Sequence, residues 1–307
     1  MQNACQWRLV TCLVAAISFA THPSVRADGL YWVNANSPAG SLERINADGT
    51  ARQTLISGLN EPLGLATDLT HEKVVWTDLG ANDIRRANLD GSGVQTLVAG
   101  LHGPIDVALD VAGGRMYWTE FSGHVVKQAN LDGSNPHTLI NSSTSLEGIA
   151  LDLTAGKIYW SDVFGLIQRA NLDGTNIQSL LAAGSKVANV DVKVDPAGGK
   201  LYWSYDVDFD PMNPMPNSGQ IWQSNLDGSS PQLIVSNLNH PLGMAIDHAG
   251  ARIYWTNTGT GDIRSSNLDG SSPTVFLAGL TNPAGIVVVP EPESIAIAAS
   301  ALTCLAA

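Results

Sequence analysis

The stretch MYWTEFSGHVVKQANLDGSNPHTLI, Met116 to Ile140, holds an aromatic pair, a short apolar run and an Asn-Leu-Asp-Gly turn in an order that recurs along the chain. The aromatic element stands as YWVN at Tyr31, VWTD at Val75, YWTE at Tyr117, YWSD at Tyr159, YWSY at Tyr202 and YWTN at Tyr254. Successive copies begin 44, 42, 42, 43 and 52 residues apart, a period in the range of roughly 40–50 residues expected of four-stranded propeller blades. The turn keeps phase with it, as NADG at Asn46 and NLDG at Asn88, Asn130, Asn171, Asn225 and Asn267. Asp-Gly between apolar runs marks a hairpin, because the turn needs positive φ and glycine supplies it at little steric cost.

Each repeat divides into four short strands. In the repeat around Tyr117 they are IDVALD, RMYWTE, HVVKQAN and HTLI, separated by Gly-rich or polar turns. Helical periodicity is absent over any useful length, so the expected class is all-β, a six-bladed β-propeller with four antiparallel strands per blade. The strand at Tyr31 has no preceding GIALD-type partner, and PAGIVVV, Pro283 to Val289, has no following aromatic strand. Pairing the two completes the first blade and closes the ring without exposed sheet edges.

The six copies resemble the YWTD, or class B, repeats of low-density lipoprotein receptor-type proteins, and the resemblance covers residues 28–289. It implies a six-bladed propeller whose ligand contacts come from one face, made by the loops after each YWTD and those leading into each P-x-G strand. Val75 departs from the motif's Tyr, and Asn34, Glu120, Tyr205 and Asn257 depart from its Asp. The departures leave the blades intact, but this chain need not share a receptor's ligand. The Trp residues at 32, 76, 118, 160, 203 and 255 are expected to pack blade on blade rather than form a binding surface.

The chain has 307 residues, 16 Lys and Arg against 28 Asp and Glu, and a formal net charge of -12. Nucleic acid needs clustered basic groups, and this acidic balance excludes it as a partner. Residues 1–27 carry Arg8, an apolar run from Leu9 to Ala20 and small residues ahead of a cleavage point after Ala27, the order of a secretory signal peptide. Cys5 and Cys12 fall in that segment and Cys304 near the other end, so the body is expected to hold together through its core rather than through disulfides. Residues 290–307 change composition to a Pro-Glu-Pro motif followed by an apolar run, shorter than the roughly 20 residues that span a bilayer. This segment resembles a PEP-CTERM sorting tail, which implies exosortase-type processing machinery and any membrane contact through the tail alone. The usual terminal Arg cluster is missing. Export from a bacterium with a two-membrane envelope, to the cell surface or beyond it, is the expected localisation.

Aligning the innermost strands places Gly64, Asp106, Gly148, Asp191, Gly243 and Gly285 at one position. Asp106 and Asp191 therefore approach one axial mouth, with Glu147 on the blade between them. Converging carboxylates suit a hard cation or a cationic ligand group; the plain alternative is two solvated residues capping loops. The 52-residue spacing marks an insertion, Tyr205 to Gln220, in which Asp206, Asp208 and Asp210 alternate as calcium ligands do. Pro211 and Asn217 stand where an EF-hand needs Gly and a bidentate Glu, leaving a looser Ca2+ site or a proline-stiffened surface loop as the alternatives. Phe121, Phe164, Tyr205, Asn189, His102 and His240 complete the expected loop face, the two histidines as candidates for pH sensitivity. The motifs of serine, zinc and cysteine hydrolases and of phosphate-binding loops are missing.

The expected function is a non-enzymatic module that binds an extracellular protein or polymer through one loop face and the channel mouth. The alternative is a metal-dependent propeller enzyme, lactonase- or lyase-like, with a base among Asp106, Glu147 and Asp191. A structural surface protein without a discrete ligand is the third reading.

Overall fold

A computed structural model describes residues 29–182, 187–188, 191–207 and 217–289. The signal-peptide and sorting-tail segments, Asn189, Asp208 and Asp210 lie outside the described residues. Six antiparallel sheets follow one another around a ring, and among the described residues all regular structure is β. Blade 2 shows the pattern: Pro62–Asp68 innermost, then Lys73–Asp78, Asp83–Asn88 and Gln95–Ala99 outward. Blade 3 repeats it with Pro104–Asp110, Arg115–Glu120, Val125–Asn130 and His137–Asn141, matching the sequence expectation closely. In blade 5 the innermost position is held by Val187–Ala188 and Val192–Asp195, both paired with Lys200–Val207.

Closure follows the expected pairing. Pro283–Val289 lies antiparallel to Gly29–Asn34, with Leu30 opposite Val288 and Trp32 opposite Ile286. The innermost strands then contact each other in ring order, blade 6 against blade 1 included.

The reason for the Tyr-Trp pair is visible in the packing. Successive side chains on a strand point to opposite faces, so each pair serves two interblade cores at once. Tyr31 of blade 1 packs in one core with Trp76 of blade 2, and Val75 of blade 2 with Trp118 of blade 3. Tyr117 meets Trp160, Tyr159 meets Trp203 and Tyr202 meets Trp255. Tyr254 of blade 6 and Trp32 of blade 1 share the last core, which closes the circle. Every one of these Trp residues is buried, Trp203 the least so at 5% exposed.

The third motif position stitches the channel wall. Thr77 Oγ1 accepts from Gly64 N–H at 2.8 Å and donates to the Ile105 carbonyl of blade 3 at 2.7 Å. Thr119 accepts from Asp106 N–H and donates to the Glu147 carbonyl; Thr256 accepts from Gly243 N–H and donates to the Ala284 carbonyl. One hydroxyl thus satisfies a strand's own amide and the next blade's carbonyl, both of which would otherwise be costly to bury.

The outer turns are equally regular. In each NxDG-[Ser/Thr] turn the Asp carboxylate accepts from the backbone N–H two residues on, and in five of the six from the hydroxyl there as well. Hydrogen bonding to the ionised form holds Asp48, Asp90, Asp132, Asp173, Asp227 and Asp269 below the usual carboxylate range, the hydroxyl first and the amide second.

Two tests follow from this packing. Trp76→Ala opens a cavity between blades 1 and 2 and is expected to cost about 3–5 kcal/mol in urea unfolding. A carboxylate with a lowered folded pKa stabilises the fold above its unfolded pKa and loses that contribution as pH falls through the folded value. The urea midpoint of Ser92→Ala/Ser134→Ala should therefore lie below that of wild type at pH 7, and the difference should shrink as pH falls below the ordinary carboxylate range, read by tryptophan fluorescence.

Candidate functional site

The channel mouth is shaped by a β-bulge that recurs near the start of the innermost strands. In blade 2, Pro62 pairs with Asp78 and Leu65 with Trp76, so three steps on the inner strand oppose two on its partner. The same shift occurs in blades 1, 3, 4 and 6. A bulge re-aims side chains, and here it turns two consecutive residues of each strand toward the axis: Leu63-Gly64, Ile105-Asp106, Glu147-Gly148, Leu242-Gly243 and Ala284-Gly285 all line one pocket. The ring is tight at the second of these positions. A Cβ on Gly64 would stand 2.5 Å from Asp106 Cα, and one on Gly285 2.1 Å from the Leu63 carbonyl.

Asp106 and Asp191 occupy that position on blades 3 and 5 and replace close approach with hydrogen bonds. Asp106 Oδ2 accepts from Ile149 N–H of blade 4 at 3.1 Å, and Asp191 Oδ2 from Met244 N–H of blade 6 at 2.7 Å. Between them lies a residue that the sequence expectation missed. Lys193 follows Asp191 by two and so shares its inward face; its Nζ donates to Asp191 Oδ1 at 2.6 Å and to Asp106 Oδ2 at 3.2 Å. The signal was present in the sequence: Lys193 stands where the other innermost strands carry Ala66, Ala108, Ala150, Ala245 and Val287.

Burial pushes the Asp191 carboxyl up to about 6; Lys193 opposes this and the Asp106 charge adds to it. For Lys193, burial works against the charge, but Asp106 and Asp191 outweigh it and hold the ammonium above its ordinary range. The lysine is therefore a fixed cation rather than a nucleophile or base. It also corrects the expectation of an open acidic mouth: the space between the two carboxylates is filled by an ammonium, and this arrangement does not fit a divalent cation bridging Asp106 and Asp191.

The pocket has a volume of about 260 Å³. Leu63, Ile105 and Leu242 line it, Glu147 is half-buried in it, and the Phe121 ring, 39% exposed, belongs to the same lining. His102 lies beside Phe121, its Nδ1 3.5 Å from Glu120 Oε2, and its carbonyl accepts from the Ser122 and Gly123 amides. Phe164 is 56% exposed on the loop after blade 4's YWSD and stands outside the pocket.

Two further candidates are placed differently from expectation. Tyr205 is buried in the core between blades 4 and 5, its ring stacked on Trp222 at 6.4 Å, because the aromatic strand of blade 5 continues to Val207 and keeps it inside. Asp206 is fully buried and its Oδ2 lies 2.6 Å from His240 Nδ1. That pairing joins two candidates given separate roles, metal ligation and pH sensing, and commits Asp206 to holding an imidazole. Nor are the histidines isolated: His71 pairs with Asp68 and His248 with Asp195. Among the described residues, no three His, Cys, Asp or Glu side chains group as a metal site.

No family model matches the chain. A 50-residue segment, 16% of this chain, is 42% identical to Protein cueball of Drosophila grimshawi, and the match spans 8% of that protein's length. The propeller of a nidogen/laminin complex superimposes with a TM-score of 0.71 at 21% identity, covering 84% of this chain and 98% of that one. TolB from Acinetobacter baumannii does so with a TM-score of 0.68 at 13% identity, covering 86% and 67%. These likenesses carry the fold: a six-bladed β-propeller.

Lys193→Met leaves two buried carboxylates facing each other without their cation, at an expected cost of about 3 kcal/mol at pH 7.5. A raised carboxyl pKa destabilises the fold above the folded value and ceases to do so as the group protonates. The deficit should therefore shrink at pH 5, read as urea midpoints of variant and wild type at both pH values; an equal deficit at the two would show that the charges are not its source.

Proposed function

We propose that this chain is an exported binding module that recognises an extracellular protein or polymer through the loop face around the channel mouth. The observation that carries the reading is the axial pocket, where Leu63, Ile105 and Leu242 stand beside Asp106, Glu147, Asp191 and Lys193, with the exposed ring of Phe121 in its lining and that of Phe164 on the corresponding loop of the next blade. Pockets of this kind, with few polar groups placed among apolar walls, are the usual sites of recognition, and exposed aromatics are the usual anchors of protein interfaces. The signal-like residues 1–27 and the cysteine-free body support export, and the Pro-Glu-Pro tail supports sorting by exosortase-type machinery at the surface of a two-membrane bacterium. The enzymatic alternative needs a free base and a metal at the mouth, and the Lys193 bridge between Asp106 and Asp191 counts against it.

The reading is tested by placing a photo-crosslinking residue at Phe164 on the loop face and, separately, at Leu233 on the outer edge of blade 5. Incubated with the extracellular and envelope fractions of the source organism, the Phe164 probe should capture a saturable partner that unlabelled protein displaces, and the Leu233 probe should not. Equal labelling from both positions would overturn the reading.

A further inference from the structure

We propose that the axial pocket holds an uncharged small molecule of about ten non-hydrogen atoms, apolar in body and carrying one carbonyl-type oxygen that accepts a hydrogen bond from Lys193. The inference goes beyond the reading of the loop face as a protein- or polymer-binding surface and does not depend on it, since the innermost strands supply most of the pocket lining.

Size and walls set the body of the guest. A cavity of about 150 Å³ lined by Leu, Ile and Phe side chains is enough to bind benzene. The pocket's volume of about 260 Å³ therefore leaves room for a molecule of about ten non-hydrogen atoms, and a single protein side chain would underfill it. Leu63, Leu65, Ile105, Leu242 and Ile286 supply apolar surface from blades 1, 2, 3 and 6. Phe121 adds a ring against which a planar guest stacks.

The charges of the lining are already met, and this decides that the guest has none. Lys193 Nζ donates to Asp191 Oδ1 and to Asp106 Oδ2. Asp106 also accepts from the N–H groups of Val107 and Ile149, Asp191 from that of Met244, and Glu147 is engaged in an interaction of its own. A cation would lose its water to meet an ammonium, and an anion would lose its water to meet carboxylates, in both cases with no free counter-charge to offset the desolvation. An uncharged guest carries no such penalty. What the floor still offers is a donor. An ammonium has three N–H groups, and among the described residues Lys193 spends two of them, on Asp106 and Asp191. Its side chain is 23% exposed and belongs to the pocket lining. A purely apolar guest would strip water from the remaining N–H and leave it unmet, whereas a carbonyl oxygen accepts from it in a charge-assisted bond.

The test titrates the full chain with acetophenone, cumene, benzoate and benzamidinium, which share a phenyl ring and one overall shape and differ in carrying an acceptor, an alkyl group, an anion and a cation. The amide signals of Ile149 and Met244 report on the floor, since these N–H groups donate to Asp106 and Asp191. Acetophenone should shift both signals saturably at about millimolar concentration, cumene should bind about tenfold more weakly, and benzoate and benzamidinium should not saturate. Lys193→Met should bring acetophenone down to the level of cumene; should that variant fold poorly, Phe121→Ala should weaken both neutral probes about threefold. A response to cumene equal to that of acetophenone, a response to either ion that matches it, or no response at Ile149 and Met244 would overturn the proposal. Partner capture at Phe164 that acetophenone displaces also overturns it, because the pocket then belongs to the partner. Capture without any acetophenone response sinks the small-molecule site and leaves the binding face standing. An acetophenone response with capture unchanged supports both, and a response without any captured partner supports the site and overturns the binding-face reading.

Discussion

The structure depends on a single alternation: on each aromatic strand, one ring faces the preceding blade and its neighbour faces the following one. A sheet with one dry face would need a second layer to cover it. Here both faces of every blade are covered by the next copy of the same strand, and the sequence of cores ends where it began, with Tyr254 and Trp32 together. The constraint is circular as well as local, since five of the six interblade cores borrow one motif ring from each side and the core between blades 2 and 3 sets Val75 against Trp118. This explains why the first blade is assembled from both ends of the described chain, with Trp32 opposite Ile286: an unpaired Gly29–Asn34 would leave two cores half-built and a sheet edge open.

From that ring follows the geometry of the axis. Six innermost strands converge until backbone meets backbone, which is why Gly64, Gly243 and Gly285 tolerate no Cβ without displacing a neighbour. The recurring bulge aims two consecutive residues of a strand at the channel, and the Thr hydroxyls of the aromatic motif hold adjacent strands to each other there. The repeat that builds the fold thereby also builds a uniform, mostly apolar funnel. Individuality enters where a blade breaks the pattern: Glu147 among Leu63, Ile105, Leu242 and Ala284, Asp106 and Asp191 among glycines, Lys193 among four alanines and Val287. Because the scaffold is rigid and repetitive, each such exception is presented at a fixed place and converts directly into a feature of the site.

The fold was legible in the sequence to an unusual degree because its information is periodic. A six-fold motif in phase with a six-fold Asp-Gly turn specifies strand, turn and period together, and the missing halves at the two ends specify closure. The site was only partly legible. Alignment of the innermost strands brought Asp106 and Asp191 to one position correctly, because equivalent residues in a ring are neighbours by symmetry. Lys193 escaped notice because it lies on the next inward position, outside the column being compared. Tyr205 was misplaced because its strand runs beyond the motif, and the Asp206–His240 pair was invisible because it joins the extended part of that strand to the connection leading into blade 6.

The sequence by itself determined the number of blades, their strands and the way the ring closes, since these follow from local propensity and from a pattern repeated at constant spacing. Only the tertiary structure decided which charges meet. Asp106 and Lys193 are 87 residues apart, and no pattern along the chain says that two blades separated by a third will touch across it. That outcome depends on the curvature of the ring, which exists only once the sheets have packed.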